Sequence, residues 1–248
     1  EECGLLIEGF DDPPRILMTY NPPYYQEFIQ SFGFQKAMDL YAYRLTVEVL
    51  DWSEKLVRVV EKLKSRAKFR VRPGDIRRFR EELNRIKKVY NSAWERNWGF
   101  VPLTDAEIER MAAQLIRFMD PDLVLIAEVD DEPIGFSLAL PDLNQALRKA
   151  YPRPGVPEWW TLIRLLYYWK VRRVVDTIRV LAMGVLEGWR AQGVSALFYY
   201  ETAKAALPKG YRHAEMSWVL ENNLMMNRDI QAIGGRLCKI YRIYELLL

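Results

Sequence analysis

The run Val185-Leu-Glu-Gly-Trp-Arg190-Ala-Gln-Gly193-Val-Ser195-Ala196-Leu carries the most specific chemistry in the sequence. It lies between a predicted strand over 178–185 and a predicted helix over 195–207. A tight turn at Gly193, followed by small residues at 195 and 196, opens a helix whose first N–H groups lack partners inside the helix. Those groups point outward with the positive end of the helix dipole, and such an arrangement cradles a pyrophosphate. Gly193 allows close backbone approach, the small side chains leave room for phosphate oxygens, and Arg190 can add a positive charge. An ordinary strand-to-helix turn could use the same residues, so the surroundings must decide.

Other chemistries have little to work with. Cys3 and Cys238 are the only cysteines and His213 the only histidine, too few for a structural zinc site and few for imidazole catalysis. Two buried thiols are the expected state of the cysteines. HExxH, paired CxxC, GxSxG, Walker A and GxGxxG are all absent, which removes the motif basis of metalloprotease, α/β-hydrolase, P-loop and dinucleotide-binding readings. With 36 Lys+Arg against 33 Asp+Glu the net charge is only +3, which does not point to nucleic acid. No apolar run is long enough to span a bilayer. The absence of an Asn-x-Ser/Thr sequon suits a cytoplasmic setting, and the opening EECGLLIEGF has neither an initiator methionine nor a secretory signal. The expectation is therefore a cytoplasmic chain with some sequence preceding Glu1.

The elements that must position the turn follow from periodicity and caps. ArgIleLeuMetThrTyr (15–20) reads as a short strand, Tyr24 to Ser31 as a helix before Gly33, and Asp39 to Val47 as a strand. Residues 51–66 read as a capped basic helix with Leu56, Val59, Val60 and Leu63 on one face. A strand at Phe69–Arg72, helices over 76–94 and from Thr104 to about Met119, and an apolar hairpin over 123–140 with DDEP at its turn come next. A long insertion, 141–177, contains WWTLIRLLYYW (159–169), read first as a buried helix, with a lid or a membrane-interface helix as alternatives. After the strand at 178–185 and the helix at 195–207 come a strand at 213–219, a helix at 225–233 and a strand at 238–246. Helices interleaved with short strands make an α/β (α+β) fold with a mixed central sheet flanked by helices.

A weak internal repeat links the two ends. Asn21 precedes Gly33 by the same twelve residues as Asn222 precedes Gly234, and the offset of 201 also matches Tyr43 to Tyr244 and Leu45 to Leu246.

The Arg190-x-x-Gly193-x-Ser195 segment, taken with these flanks, resembles the acyl-CoA-binding motif of the GNAT superfamily of N-acetyltransferases. Ser195 stands where the family has Gly or Ala. Upstream, the β-α-α-β-β order resembles the family's N-terminal half, and AEMSWVLENNLMMNRDIQAIGG resembles its strand, Asn-containing helix and Gly turn. The resemblance covers about 67–248 and implies a GNAT-like acyl-CoA N-acyltransferase fold. It implies acetyl-CoA as co-substrate and no metal, with the pantetheine arm along Met183, Gly184 and Val185. The pyrophosphate would lie on the N–H groups of Arg190, Ala191, Gln192, Gly193, Val194, Ser195 and Ala196, and Asn223, with Asn222 and Asn227 as neighbouring alternatives, would reach the pantetheine. A neutral amine would attack the thioester directly. Glu215, Glu221 and Asp142 are the candidate bases, with Glu128 a further carboxylate. The family's Tyr acid, seven residues after the Asn, is replaced by Ile230. A bulky residue at 193 is expected to abolish CoA binding and spare the fold.

The acceptor side is expected around Asn91, Trp94 and Trp98, an apolar wall with hydrogen-bonding groups, and Asn144 at the start of the insertion. The expected organisation is 1–50 as the end of a preceding GNAT-like unit, 51–66 as a connecting helix and 67–248 as the GNAT-like domain. The expected function is acetyl transfer from acetyl-CoA to a small-molecule or peptide amine, with a homodimer as one arrangement and neither nucleic acid nor a membrane span. The alternative is a catalytically silent CoA-binding or regulatory protein; a third reading is a tandem aminoacyl-tRNA-dependent transferase.

Overall fold

The computed structural model describes residues 3–46, 54–95, 97–116 and 118–247. In chain order the strands are β1 (Leu5–Glu8), β2 (Gln35–Thr46), β3 (Arg70–Pro73), β4 (Val124–Val129), β5 (Glu132–Pro141), β6 (Thr177–Val185), β7 (His213–Leu220) and β8 (Arg236–Glu245). The helices are α1 (Tyr25–Ser31), α2 (Glu54–Arg66), α3 (Phe79–Trp94), α4 (Asp105–Leu115), α5 (Asn144–Ala150), α6 (Glu158–Leu166), α7 (Val194–Ala206) and α8 (Leu224–Ala232). The expected cap at 51–53 and the side chains of Leu56 and Val59 lie outside the described residues. The strand order is β1-β8-β2-β7-β6-β5-β4-β3, a mixed sheet.

The chain divides into two compact units, Glu1–Leu50 with Pro141–Arg179 and Gly210–Leu248, and Asp51–Leu140 with Val180–Lys209. This differs from the expected division at residues 50 and 67. The physical reason is strand pairing within the first unit: β2 runs antiparallel to β7 on one side and to β8 on the other, and β8 also pairs with β1. The N-terminal segment therefore completes a sheet with the C-terminal one.

Here the repeat becomes geometry. β1-α1-β2 and β7-α8-β8 both run strand, helix, glycine at positive φ (Gly33 at 88°, Gly234 at 93°), strand. Each copy's second strand pairs with the other's first, and the two second strands pair with each other from Gln35↔Glu245 to Arg44↔Arg236. That reciprocal exchange is the pattern of a local two-fold axis. Leu6, Met38, Leu40, Ala42 and Tyr241 form its core.

Residues 15–20 are not a strand. Arg179 donates to the carbonyls of Ile16 (2.8 Å) and Leu17 (3.1 Å), Asp142 accepts from the Ile16 N–H (2.9 Å), and Leu17 sits at φ 58°. The segment's backbone groups are satisfied by buried side chains, so no neighbouring strand is required. The helix at 158–166, read as buried, is exposed along Trp159, Trp160, Leu162 and Ile163; only Leu165, with Tyr168 and Trp169 beyond it, packs inward on Leu143, Ala146 and Val175. Cys3 is exposed rather than buried, and Cys238 is partly buried.

In the second unit, β4 is antiparallel to β3 and β5, and the DDEP turn is tight, with Asp130 and Asp131 at positive φ. Thr104 and Glu107 form a capping box that starts α4 as expected. Phe69, Leu125, Ala127, Ile134, Val185, Leu197 and Phe198 form a core that ties β3–β6 to α7.

Candidate functional site

The Gly193 turn lies in the second unit. β6 ends at Val185, a 3-10 turn runs Glu187–Gln192, and Gly193, at φ 83° and ψ 12°, is the N-cap of α7. An L-residue is strained at that φ. A Cβ on Gly193 would also lie 2.7 Å from Leu63 Cδ2 of α2, the far end of a side chain that can give way, so it is the backbone conformation that calls for glycine. The expectation that a bulky residue here would spare the fold is therefore corrected. Val194 is fully buried and anchors α7, while Ser195 is half-buried and Ala196 exposed, leaving the helix start open at those two positions. Arg190 points elsewhere: Nε donates to the Val185 carbonyl (3.2 Å) and an Nη atom to the Ala93 carbonyl (3.0 Å). It straps the end of β6 to α3, so the positive charge expected for the phosphate is committed to backbone. Ala191 and Gln192 are exposed on the turn, with Gln192 donating to the Gly188 carbonyl.

Gly184 is the second glycine that matters. A Cβ there would collide with the Trp94 ring, so the indole of α3 packs directly against the β6 backbone. Tyr90 stacks on Trp94 at 4.7 Å, and Phe136 packs at 5.6 Å. Trp94 is thus a packed wall beside Met183–Val185. Trp98 is 43% exposed, and Asn91 is engaged with Leu103, accepting from its N–H (3.1 Å) and donating to its carbonyl.

The first unit holds a buried charge cluster. Glu215, on β7 and 1% exposed, meets Lys239 Nζ at 2.7 Å and Arg15 Nε at 3.4 Å, and accepts from Ser217 Oγ at 3.2 Å. Asp142, also 1% exposed, accepts from Ile16 N–H and lies 3.5 Å from an Arg15 Nη atom. Arg15 thereby joins two of the three predicted carboxylates. Asp12 completes the charge balance, 2.5 Å from Lys239 Nζ and 3.0 Å from Arg15. Burial pushes the Asp142 carboxyl above the ordinary aspartate value, outweighing the pull of Arg15. Asp12 moves the other way: burial raises it, but Lys239 and Arg15 together hold it lower. Burial also lowers Arg179 to about 10; its Nε donates to Ser217 Oγ, and among the described residues no carboxylate contacts it directly.

Asp12, Glu215 and Cys238 offer ligand atoms within 4.8 Å of one another, the spacing of a metal site. The Lys239 ammonium already lies between the two carboxylates, and burial raises the Cys238 thiol to about 11, so these residues do not fit a metal ion.

The third predicted base lies apart. Glu221 accepts from the Asp39 N–H and pairs with Lys36 at 2.7 Å on a partly exposed surface. Asn223 caps α8, accepting from Met226 N–H (3.2 Å). Asn227 is buried, donating to the Leu220 and Glu221 carbonyls and accepting from Tyr43 Oη. Asn144 donates to the Pro14 carbonyl, and Ile230 is fully buried. In the second unit Glu128 is the hub of Arg70, Arg72 and Arg85. The residues missed in the sequence are Asp12, Arg15, Arg179, Ser217 and Lys239. The legible signal was a charge inside an apolar strand, Arg179 in TIRVLAMGV and Lys239 in RLCKIYRIYE.

A strand, a positive-φ glycine turn and a helix in this order decide the fold when set beside solved structures. A GCN5-related N-acetyltransferase from Sphaerobacter thermophilus aligns over 92% of this chain and 58% of its own, with a TM-score of 0.54 at 13% identity. A tandem GNAT protein from the clavulanic acid biosynthesis pathway aligns over 91% and 59%, with a TM-score of 0.51 at 11% identity. The chain has the GNAT fold. No family model matches it. Among curated proteins it is 36% identical to Protein YghO of Escherichia coli K12 and 34% identical to the Bacterial ceramide synthase of Caulobacter vibrioides, each over 99% of this chain. It spans 62% and 63% of the lengths of those relatives. Among the described residues of this GNAT-fold chain, no helix is long and apolar enough to cross a membrane.

Proposed function

We propose that this chain is an acyl-CoA-dependent N-acyltransferase. The observation that carries the reading is the β6–Gly193–α7 junction, a positive-φ turn whose small residues leave the first N–H groups of α7 open to an anion. Residues Met183–Val185 would hold the pantetheine arm and Gly193–Ala196 the pyrophosphate. The amine nitrogen would attack the thioester carbonyl, the C–S bond would break, and the CoA thiolate would leave. The amine proton needs a base that takes it as the C–N bond forms. Ile230 rules out the family's Tyr at its usual place as proton donor to the thiolate.

The acceptor reading rests on a relative. A ceramide is an N-acylated long-chain amino alcohol, so similarity to a protein named Bacterial ceramide synthase favours a long-chain amine, and a longer acyl group than acetyl. The alternative is a CoA-binding protein without turnover, favoured by Ile230 and by the ion pairing of Glu215.

Acyl-CoA at a hundredfold excess over its Kd should stabilise the protein by about 2.7 kcal/mol in thermal unfolding. Ser195→Trp should remove that gain without lowering the Tm of the free protein, because Ser195 is only half-buried. No stabilisation by acetyl-, octanoyl- or palmitoyl-CoA refutes the cofactor. Thiol release with long-chain amino alcohols supports the transferase; binding without release from any amine favours the silent reading.

A further inference from the structure

We infer that the outward face of α6 is a docking surface for an anionic lipid bilayer. α6 and the π-helical turn that follows it, Tyr167–Val171, carry apolar residues on two faces. One face packs inward through Leu165, Tyr168 and Trp169. The other presents Trp159, Trp160, Leu162, Ile163, Leu166 and Tyr167 to solvent, each 45–59% exposed. A surface helix of a globular protein ordinarily turns polar residues outward. Here the outward face is apolar and ends in aromatic residues with polar ring atoms, the side chains that settle at the headgroup level of a bilayer.

Charge selects the occupant. Between 143 and 175 the sequence holds seven basic residues and a single acidic one, Glu158. Arg148, Lys149, Arg153, Lys170, Arg172 and Arg173 are all exposed around the helix. A protein partner with a matching apolar patch would not need this cationic surround, whereas a negatively charged leaflet attracts each cation. The helical stretch is 14 residues from Glu158 to Val171, too short to span, so it lies in the interface plane. This inference does not depend on the acyltransferase reading, although a bilayer is where a long-chain amine would be met.

The test is co-sedimentation of the purified protein, without CoA, with phosphatidylcholine vesicles with and without phosphatidylglycerol. Association is expected with the anionic vesicles, weakened by salt, with a blue shift of tryptophan fluorescence. Lys170→Ala/Arg172→Ala/Arg173→Ala should lower the partition coefficient on the order of 100-fold. Trp159→Ser/Trp160→Ser should weaken binding to both vesicle types, and neither variant should lower the Tm, since these side chains are exposed. Absence of association, or association unchanged in both variants, overturns the proposal. So does concentration-dependent self-association in light scattering that Trp159→Ser/Trp160→Ser abolishes, which would assign the face to a second copy. Ser195→Trp should bind vesicles normally, which separates a failure here from a failure of the CoA site.

Discussion

Lys239 shows how much one buried charge decides. Its ammonium is buried between Glu215 and Asp12, and removing it leaves a carboxylate in a site of low dielectric. Lys239→Met should therefore destabilise the first unit by about 3–5 kcal/mol in urea unfolding, and pairing it with Glu215→Gln should recover part of that loss. Two carboxyls should respond oppositely to pH. Burial pushes Glu128 up, but hydrogen bonds from Arg72 and Arg70 outweigh it and hold the group below 4.5. Its stabilisation is present above that unfolded value and lost as pH falls through the folded one. Glu128→Gln should flatten the acid limb of stability. Asp142 is raised above 3.8, so the folded state binds the proton more tightly and its contribution is fully present below 3.8 and lost as pH rises through the raised value. Asp142→Asn should gain on the wild type as pH rises through the mildly acidic range; a difference that is flat with pH would refute the assignment.

At the scale of elements, two glycines set how β6 meets its helices. Gly193→Ala combines φ strain with a Cβ 2.7 Å from Leu63, and should cost about 1–3 kcal/mol in thermal unfolding. Leu63→Ala should not restore the strained part. Gly184→Ala would drive a methyl into Trp94, an overpacking of similar size, and Trp94→Ala should relieve it in a double-mutant cycle. Additive losses would mean that the indole does not lie on β6. The hairpin, the helix at 194–206 and the capping box were legible because periodicity and caps act locally. The segment at 15–20 was not: its apolar residues suit a strand, but Arg179 and Asp142, distant in sequence, take its backbone groups.

For the molecule as a whole, removing residues 1–46 should abolish cooperative folding of the first unit, read as lost protection of β7 and β8 in hydrogen exchange. That deletion strips both antiparallel partners from β8 and takes away Arg15 and Asp12 from buried Glu215 and Lys239. Intact protection would mean that β7 and β8 fold without the N-terminal strands that pair with them. By itself the sequence determined the Gly193 turn and the two copies of helix, glycine and strand, because these rest on local backbone preferences and short spacings; the GNAT fold was legible through the resemblance of the Arg190-x-x-Gly193-x-Ser195 segment and its flanks to that family. Only the tertiary structure decided that the copies exchange strands, that Arg190 binds backbone, and that Asp142 and Glu215 share Arg15 while Glu221 does not. Those outcomes depend on pairing between residues up to about two hundred positions apart, where burial and charge neutralisation select the partner and no local preference can.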